Sequence, residues 1–116
     1  MFLWRRYKEV TDWAHLEAVV AEYLDDYNAV ARKPMNLVMF LYALEHVARI
    51  ARIIRHPWGH ALLVGMGGSG RQSLSRLAAA IEDYNVEVVE ITKAYTQADW
   101  KDDLRVRAPL LVSLLV

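Results

Sequence analysis

Apolar residues recur at three- and four-residue steps through Trp13, Leu16, Val20, Tyr23 and Tyr27, the signature of one face of an α-helix. Thr11 or Asp12 suits the start of this helix, because a short polar side chain there accepts a hydrogen bond from the open first turn. Asp25 and Asp26 fall near its C-terminal end, where the helix dipole disfavours acids, so the pattern predicts fraying or a basic neighbour there. A second helical pattern begins at Pro34, which suits a first turn because its missing N–H would have no partner there. Its expected apolar stripe is Leu37, Leu41, Leu44, Ala48, Ala51 and Ile54 or Arg55. Glu45 and Arg49 form an i,i+4 pair on another face, worth about 0.3 kcal/mol. Pro57, Trp58 and Gly59 end the helix and turn the chain.

The period then changes. Residues 61–64 form a short apolar run closed by glycine, as a fully buried strand would. Leu74, Leu77, Ala78 and Ile81 give the next helix its inward face. Beyond a turn at Tyr84 and Asn85, the β-branched run 86–91 reads as a second strand. Strand, helix and strand in this order predict a right-handed parallel crossover. Thr96 with Asp99 has the form of a capping box, with Asp where Glu or Gln is usual, opening a short helix through Leu104. After Pro109, residues 110–116 read as a third strand. The expected fold class is therefore α/β: two amphipathic helices leading into a parallel β-α-β unit.

Composition narrows this picture. A chain of 116 residues holds one small domain or part of a larger one, and its 55% hydrophobic share is rich for that length. Apolar faces that expect neighbours are the consequence. The 14 basic and 14 acidic residues balance, so no overall field draws nucleic acid or anionic lipid. A local basic cluster, Arg49, Arg52 and Arg55, has two readings: an approach to a nucleotide, because its helix runs into the expected phosphate-binding strand, or, slightly favoured, a solvated face or a contact with the adjoining module. The absence of cysteine excludes a disulfide framework and a thiolate metal site. The apolar stretch 37–44 is far below the roughly 20 residues a bilayer span requires. The N-terminus lacks the apolar core of a signal peptide, so a soluble, intracellular protein is expected. His15, His46, His56 and His60 read as surface or packing residues, because Pro57 and Gly59 break the one helical spacing among them. The four tryptophans read as packing residues.

The chemistry concentrates between residues 60 and 78. An apolar run enters a loop holding Gly65, Gly67, Gly68 and Gly70, and a helical pattern leaves it. Glycines at such a corner let backbone N–H groups close around an anion, and the helix N-terminus adds partial positive charge. Two templates fit. As a P-loop, G-x-x-x-x-G-K-[ST], the loop runs from Gly65 to Gly70, with Arg71 and Gln72 in the lysine and hydroxyl places. As a dinucleotide fingerprint, G-x-G-x-x-G, it uses Gly65, Gly67 and Gly70, with Glu90 as the acid for a ribose hydroxyl. Pattern alone favours the second. For the first, Arg71 keeps the charge as a planar fork rather than a compact ammonium. Gln72 replaces the hydroxyl that normally meets Mg²⁺, and Ser73 lies about 100° further round the helix. Phosphate binding tolerates both changes better than phosphoryl transfer does.

Residues 34–55 and 59–78, with Gly-Ser-Gly-Arg-Gln-Ser at 68–73, resemble the start of the fourth AAA+ module in the motor ring of axonemal-type dynein heavy chains. Residues 90–95 and 100–104 resemble the next stretch of that module, so the likeness covers about 7–104. It implies a partial P-loop AAA+ core in which Gly65, Met66, Gly67, Gly68, Ser69, Gly70, Arg71, Gln72 and Ser73 line the phosphates of ATP or ADP, with or without Mg²⁺. It also implies division into an N-terminal helical segment, 1–33, and an incomplete large subdomain, 34–116. The implied partners are other AAA+ modules of the same heavy chain, dynein complex subunits and, through the parent motor only, microtubules. The implied location is the cytoskeleton of the ciliary axoneme. The family's next strand carries an acidic Walker B residue, whereas 110–116 contain no acid. The expectation is binding with little or no turnover by this chain. Two rival readings stay open: an NAD-type dinucleotide binder using Glu90, and a non-catalytic docking piece with an apolar run at 110–116.

Overall fold

The computed structural model describes residues 8–107, and among them the regular elements are four helices: α1 (Trp13–Val30), α2 (Leu41–Arg55), α3 (Arg71–Ile81) and α4 (Gln97–Arg107). Helix α1 starts where a cap is available. The Asp12 carboxylate accepts from the His15 N–H at 3.0 Å, which satisfies one of the open donors of the first turn. Its core side is Val20 and Leu24, flanked by Leu16 and Tyr23, while Trp13 stays exposed.

Helix α2 begins seven residues later than Pro34 suggests, with Phe40 as its N-cap and no side chain capping it. The cause lies in α1. Asn28 Nδ2 donates to the Met35 carbonyl at 2.9 Å, and the Met35 N–H donates to Asn28 Oδ1 at 2.7 Å. Both backbone groups of Met35 are thereby taken, and a helical turn through it loses its partners. The stretch 35–40 is irregular, with Met35, Leu37 and Met39 half-buried against the core and Asn36, Val38 and Phe40 exposed. The buried stripe of α2 is also rotated from the expected one. It comprises Ala43, Leu44, Val47, Ile50, Ala51 and Ile54, and leaves Leu41 and Ala48 outside.

Helix α3 supplies the centre of the core. Leu77 and Ala78 are wholly buried, and Leu74 and Ile81 pack against the same cluster. Helices α1, α2 and α3 all pack on one another, whereas α4 packs on none of them. Arg55 Nε lies 3.5 Å from Glu82 Oε2, whose side chain is only 12% exposed, and this pair ties the ends of α2 and α3 together. Helix α3 ends with Asp83 in the left-handed region at φ 59°. The Tyr84 N–H reaches the Ala79 carbonyl at 2.8 Å and the Asp83 N–H reaches Ala80 at 3.2 Å, as in a Schellman cap.

The α/β expectation is overturned. No strand forms among the described residues, so no parallel β-α-β unit and no P-loop core built on one exists there. Residues 61–64 are irregular, with Leu63 half-buried and Leu62 and Val64 exposed at 90% and 85%, the opposite of a fully buried strand. Residues 86–91 are irregular too; Val86 packs on the core and Ile91 is exposed. Strand propensity expresses a fit to a pleated, paired surface, and apolar β-branched residues do not become a strand without a ladder beside them. The expected third strand, 110–116, lies outside the described residues.

The capping box stands as expected. Thr96 N–H and Oγ1 donate to Asp99 Oδ2 at 2.8 and 2.7 Å, and the Asp99 N–H returns a bond to Thr96 Oγ1 at 3.3 Å. The helix it opens continues three residues past Leu104, to Arg107.

Candidate functional site

The glycine loop joins the irregular segment 60–65 to α3. The Ser69 N–H donates to the Met66 carbonyl at 3.2 Å, closing a turn over residues 66–69. Gly68 occupies its third position at φ +79°, the value that a type II turn asks of glycine. Gly70 is left-handed as well, at φ +79° and ψ 4°, and serves as the N-cap of α3. No side chain caps this end. The first intrahelical bond is Leu74 N–H to the Gly70 carbonyl at 2.9 Å, so the amides of the first turn face the loop without an internal partner. A Cβ at Gly67 would meet nothing within 4 Å, which leaves the backbone open to a ligand's approach.

Arg71 folds back across the loop. Its guanidinium donates to the Met66 carbonyl at 3.4 Å, sharing that oxygen with Ser69. The bond is long and its acceptor neutral, hence weaker than the bond the same group makes to a phosphate oxygen.

Beside the loop lies a cleft of about 680 Å³. Its walls come from three parts of the chain: Leu37, Val38 and Phe40; the α2 face from Tyr42 to Ile53; and residues 60–65. Ser69, Gly70, Arg71 and Leu74 close the end next to α3. The lining is mainly apolar, with Arg49, Arg71, His46 and His60 as its basic members. His46 is held edge-on by the Tyr42 ring, with centroids 4.2 Å apart. Arg49 is bonded to Glu45 at 3.4 Å, the i,i+4 pair expected from spacing. Among the described residues no group of three or more histidines and acids is placed to hold a metal ion.

Of the nine loop residues singled out in the sequence, Gly65, Ser69, Gly70 and Arg71 line this cleft. Met66, Gly67, Gly68, Gln72 and Ser73 do not. Glu90, the acid on which the dinucleotide reading depends, is exposed and absent from the walls. The basic cluster of α2 is dispersed: Arg49 pairs with Glu45, Arg55 with Glu82, and Arg52 has its own partner. Sequence reasoning missed the opposite wall, Val38, Phe40, Tyr42 and His46. Nothing in the sequence marks it: five of the six residues 35–40 are apolar, so their alternation of half-buried and exposed positions is seen only in the structure.

Comparison with known proteins gives this arrangement a context. The family described as the P-loop containing dynein motor region D4 matches residues 35–109. Dynein axonemal heavy chain 3 of Mus musculus is 48% identical over 99 residues, covering 85% of this chain and 2% of that protein. Dynein axonemal heavy chain 12 of Mus musculus is 45% identical over 101 residues, covering 87% and 3%. Dynein axonemal heavy chain 2 of Homo sapiens is 46% identical over 100 residues, covering 85% and 2%. The chain thus spans only 2% to 3% of the length of these relatives.

Proposed function

The chain belongs to the family of the dynein motor region D4, and on that premise we propose that it is a nucleotide-binding piece of the fourth AAA+ module of an axonemal dynein heavy chain. One observation carries the nucleotide reading. A glycine loop with two left-handed residues and an uncapped helix start opens directly onto an apolar cleft large enough for a nucleoside. Phosphates of ATP or ADP sit at residues 65–73, against the amides of the loop and of the first turn of α3. The flat aromatic base lies between the 37–40 segment and α2. Arg71 exchanges its bond to Met66 for one to a phosphate oxygen.

The role is binding rather than turnover. The cleft walls carry no carboxylate to orient an attacking water. Through the parent heavy chain the piece takes part in a microtubule-based motor of the ciliary axoneme, alongside other AAA+ modules and dynein subunits. The test is a titration with fluorescent ATP and ADP analogues. A dissociation constant at or below about 1 mM, equal to about −4 kcal/mol, is expected for both. A folded sample that binds neither analogue refutes the reading.

A second reading, a docking piece for other parts of a longer chain, draws support from Leu62, Val64 and Met66, each at least 85% exposed. Concentration-dependent association of the isolated chain in sedimentation velocity is its expected mark.

A further inference from the structure

We infer that this chain takes its nucleotide as the free polyanion, with guanidinium groups and backbone amides in the place that a magnesium ion fills in other nucleotide sites; this rests on the nucleotide reading above. Magnesium beside phosphates asks for hard oxygen ligands, commonly one or two carboxylates, and in P-loop proteins a Ser or Thr hydroxyl next to the lysine. All 14 acidic side chains of the sequence fall within residues 8–107, so every one of them is among the described residues. None lines the cleft. Glu45, on the same helix as one wall, is engaged by Arg49 at 3.4 Å. The position after Arg71 holds Gln72, a neutral amide that is exposed and outside the lining, and the Ser73 hydroxyl lies outside it too. The side-chain oxygens that do line it, on Ser69 and Tyr42, are neutral hydroxyls with no carboxylate beside them in the lining, so the donor set of this chain does not fit a magnesium ion.

It fits an anion. Arg71 reaches the lining, as does Arg49 while paired with Glu45, and His46 and His60 add ring N–H donors. Guanidinium forks bond phosphate oxygens in pairs and stay charged throughout the accessible pH range. A divalent cation brought between them meets like charge. Arg71 is poised for the exchange, because its present acceptor, the Met66 carbonyl at 3.4 Å, is a poor competitor for a charged phosphate oxygen.

The test is titration of the full 116-residue chain with fluorescent ADP, once in EDTA and once in magnesium chloride, with helicity checked by circular dichroism. The expected dissociation constant in EDTA is equal to or lower than that in magnesium. Tightening by magnesium of more than about threefold overturns the inference and leaves the nucleotide reading standing. Absence of binding in both buffers by a helical sample overturns the nucleotide reading, and this inference with it. Arg71→Gln is expected to weaken binding in EDTA about tenfold, the loss of one charge-assisted contact, and to make binding respond to magnesium. Unchanged affinity of Arg71→Gln in EDTA overturns the role given to the guanidinium.

Discussion

Asn28 and Met35 clasp each other through paired hydrogen bonds, the side-chain amide of one against the backbone N–H and carbonyl of the other, at 2.7 and 2.9 Å. One residue near the end of α1 thereby decides where α2 starts and lays residues 35–40 along the cleft. Replacing Asn28 by Ala leaves two backbone groups unsatisfied in a part-buried place. A loss of about 1–2 kcal/mol is expected in urea unfolding. Asn28→Asp keeps only the acceptor and falls between the wild type and Asn28→Ala.

Gly59 and Gly67 separate folding from binding. A Cβ at Gly59 would stand 1.7 Å from the Ile53 carbonyl oxygen, so Gly59→Ala forces the end of α2 apart and costs about 2 kcal/mol or more. Gly67→Ala has open space around it and is expected to change stability by less than about 0.5 kcal/mol. On the proposed binding mode its methyl group stands on the face a phosphate approaches, so nucleotide affinity is expected to fall. Thermal melts and nucleotide titrations of the two variants display the contrast.

Asp83 holds a backbone conformation that suits glycine better, at φ 59° in the cap of α3. Asp83→Gly removes the Cβ clash and gains about 0.5–1 kcal/mol, less a little for the freer unfolded chain. A raised midpoint in urea at unchanged slope is the expected outcome.

Acid weakens α4. The bonds from the Thr96 hydroxyl and N–H hold the Asp99 carboxyl below the ordinary aspartate range. A lowered folded-state value means that the ionised cap stabilises the helix fully above about pH 4, and that the benefit disappears as pH falls through the folded value. The Thr96 amide resonance, followed by NMR from neutral pH into acid, is expected to shift with this titration. In Asp99→Asn that titration is absent.

Features set by near neighbours could be read from the residues alone. The Asp12 cap, the Thr96 and Asp99 box, the Glu45 and Arg49 pair and the inward face of α3 each involve positions three or four apart, where helical geometry settles the contact. What depends on a distant partner could not. Nothing local in 34–40 announces that Asn28 will capture Met35, and a nearly continuous apolar run leaves its conformation open. The runs 61–64 and 86–91 have strand-like composition, yet a strand is a relation between segments, and none forms among residues 8–107. The candidate site divides in the same way. The glycine loop is visible as a motif, whereas the wall that faces it arises from how 35–40 lies against α2.

Helix α4 has a consequence for how the molecule opens. Since it packs on none of α1, α2 or α3, it is secured by its own backbone ladder, the Thr96 and Asp99 box and the bond from the Tyr95 hydroxyl to Asp103 at 2.6 Å. Deuterium is therefore expected to enter residues 97–107 through local fraying, orders of magnitude sooner than residues 74–79, whose amides open only when the three-helix core does. The chain is expected to open as two cooperative units, with the glycine loop joined to the slower one through α3.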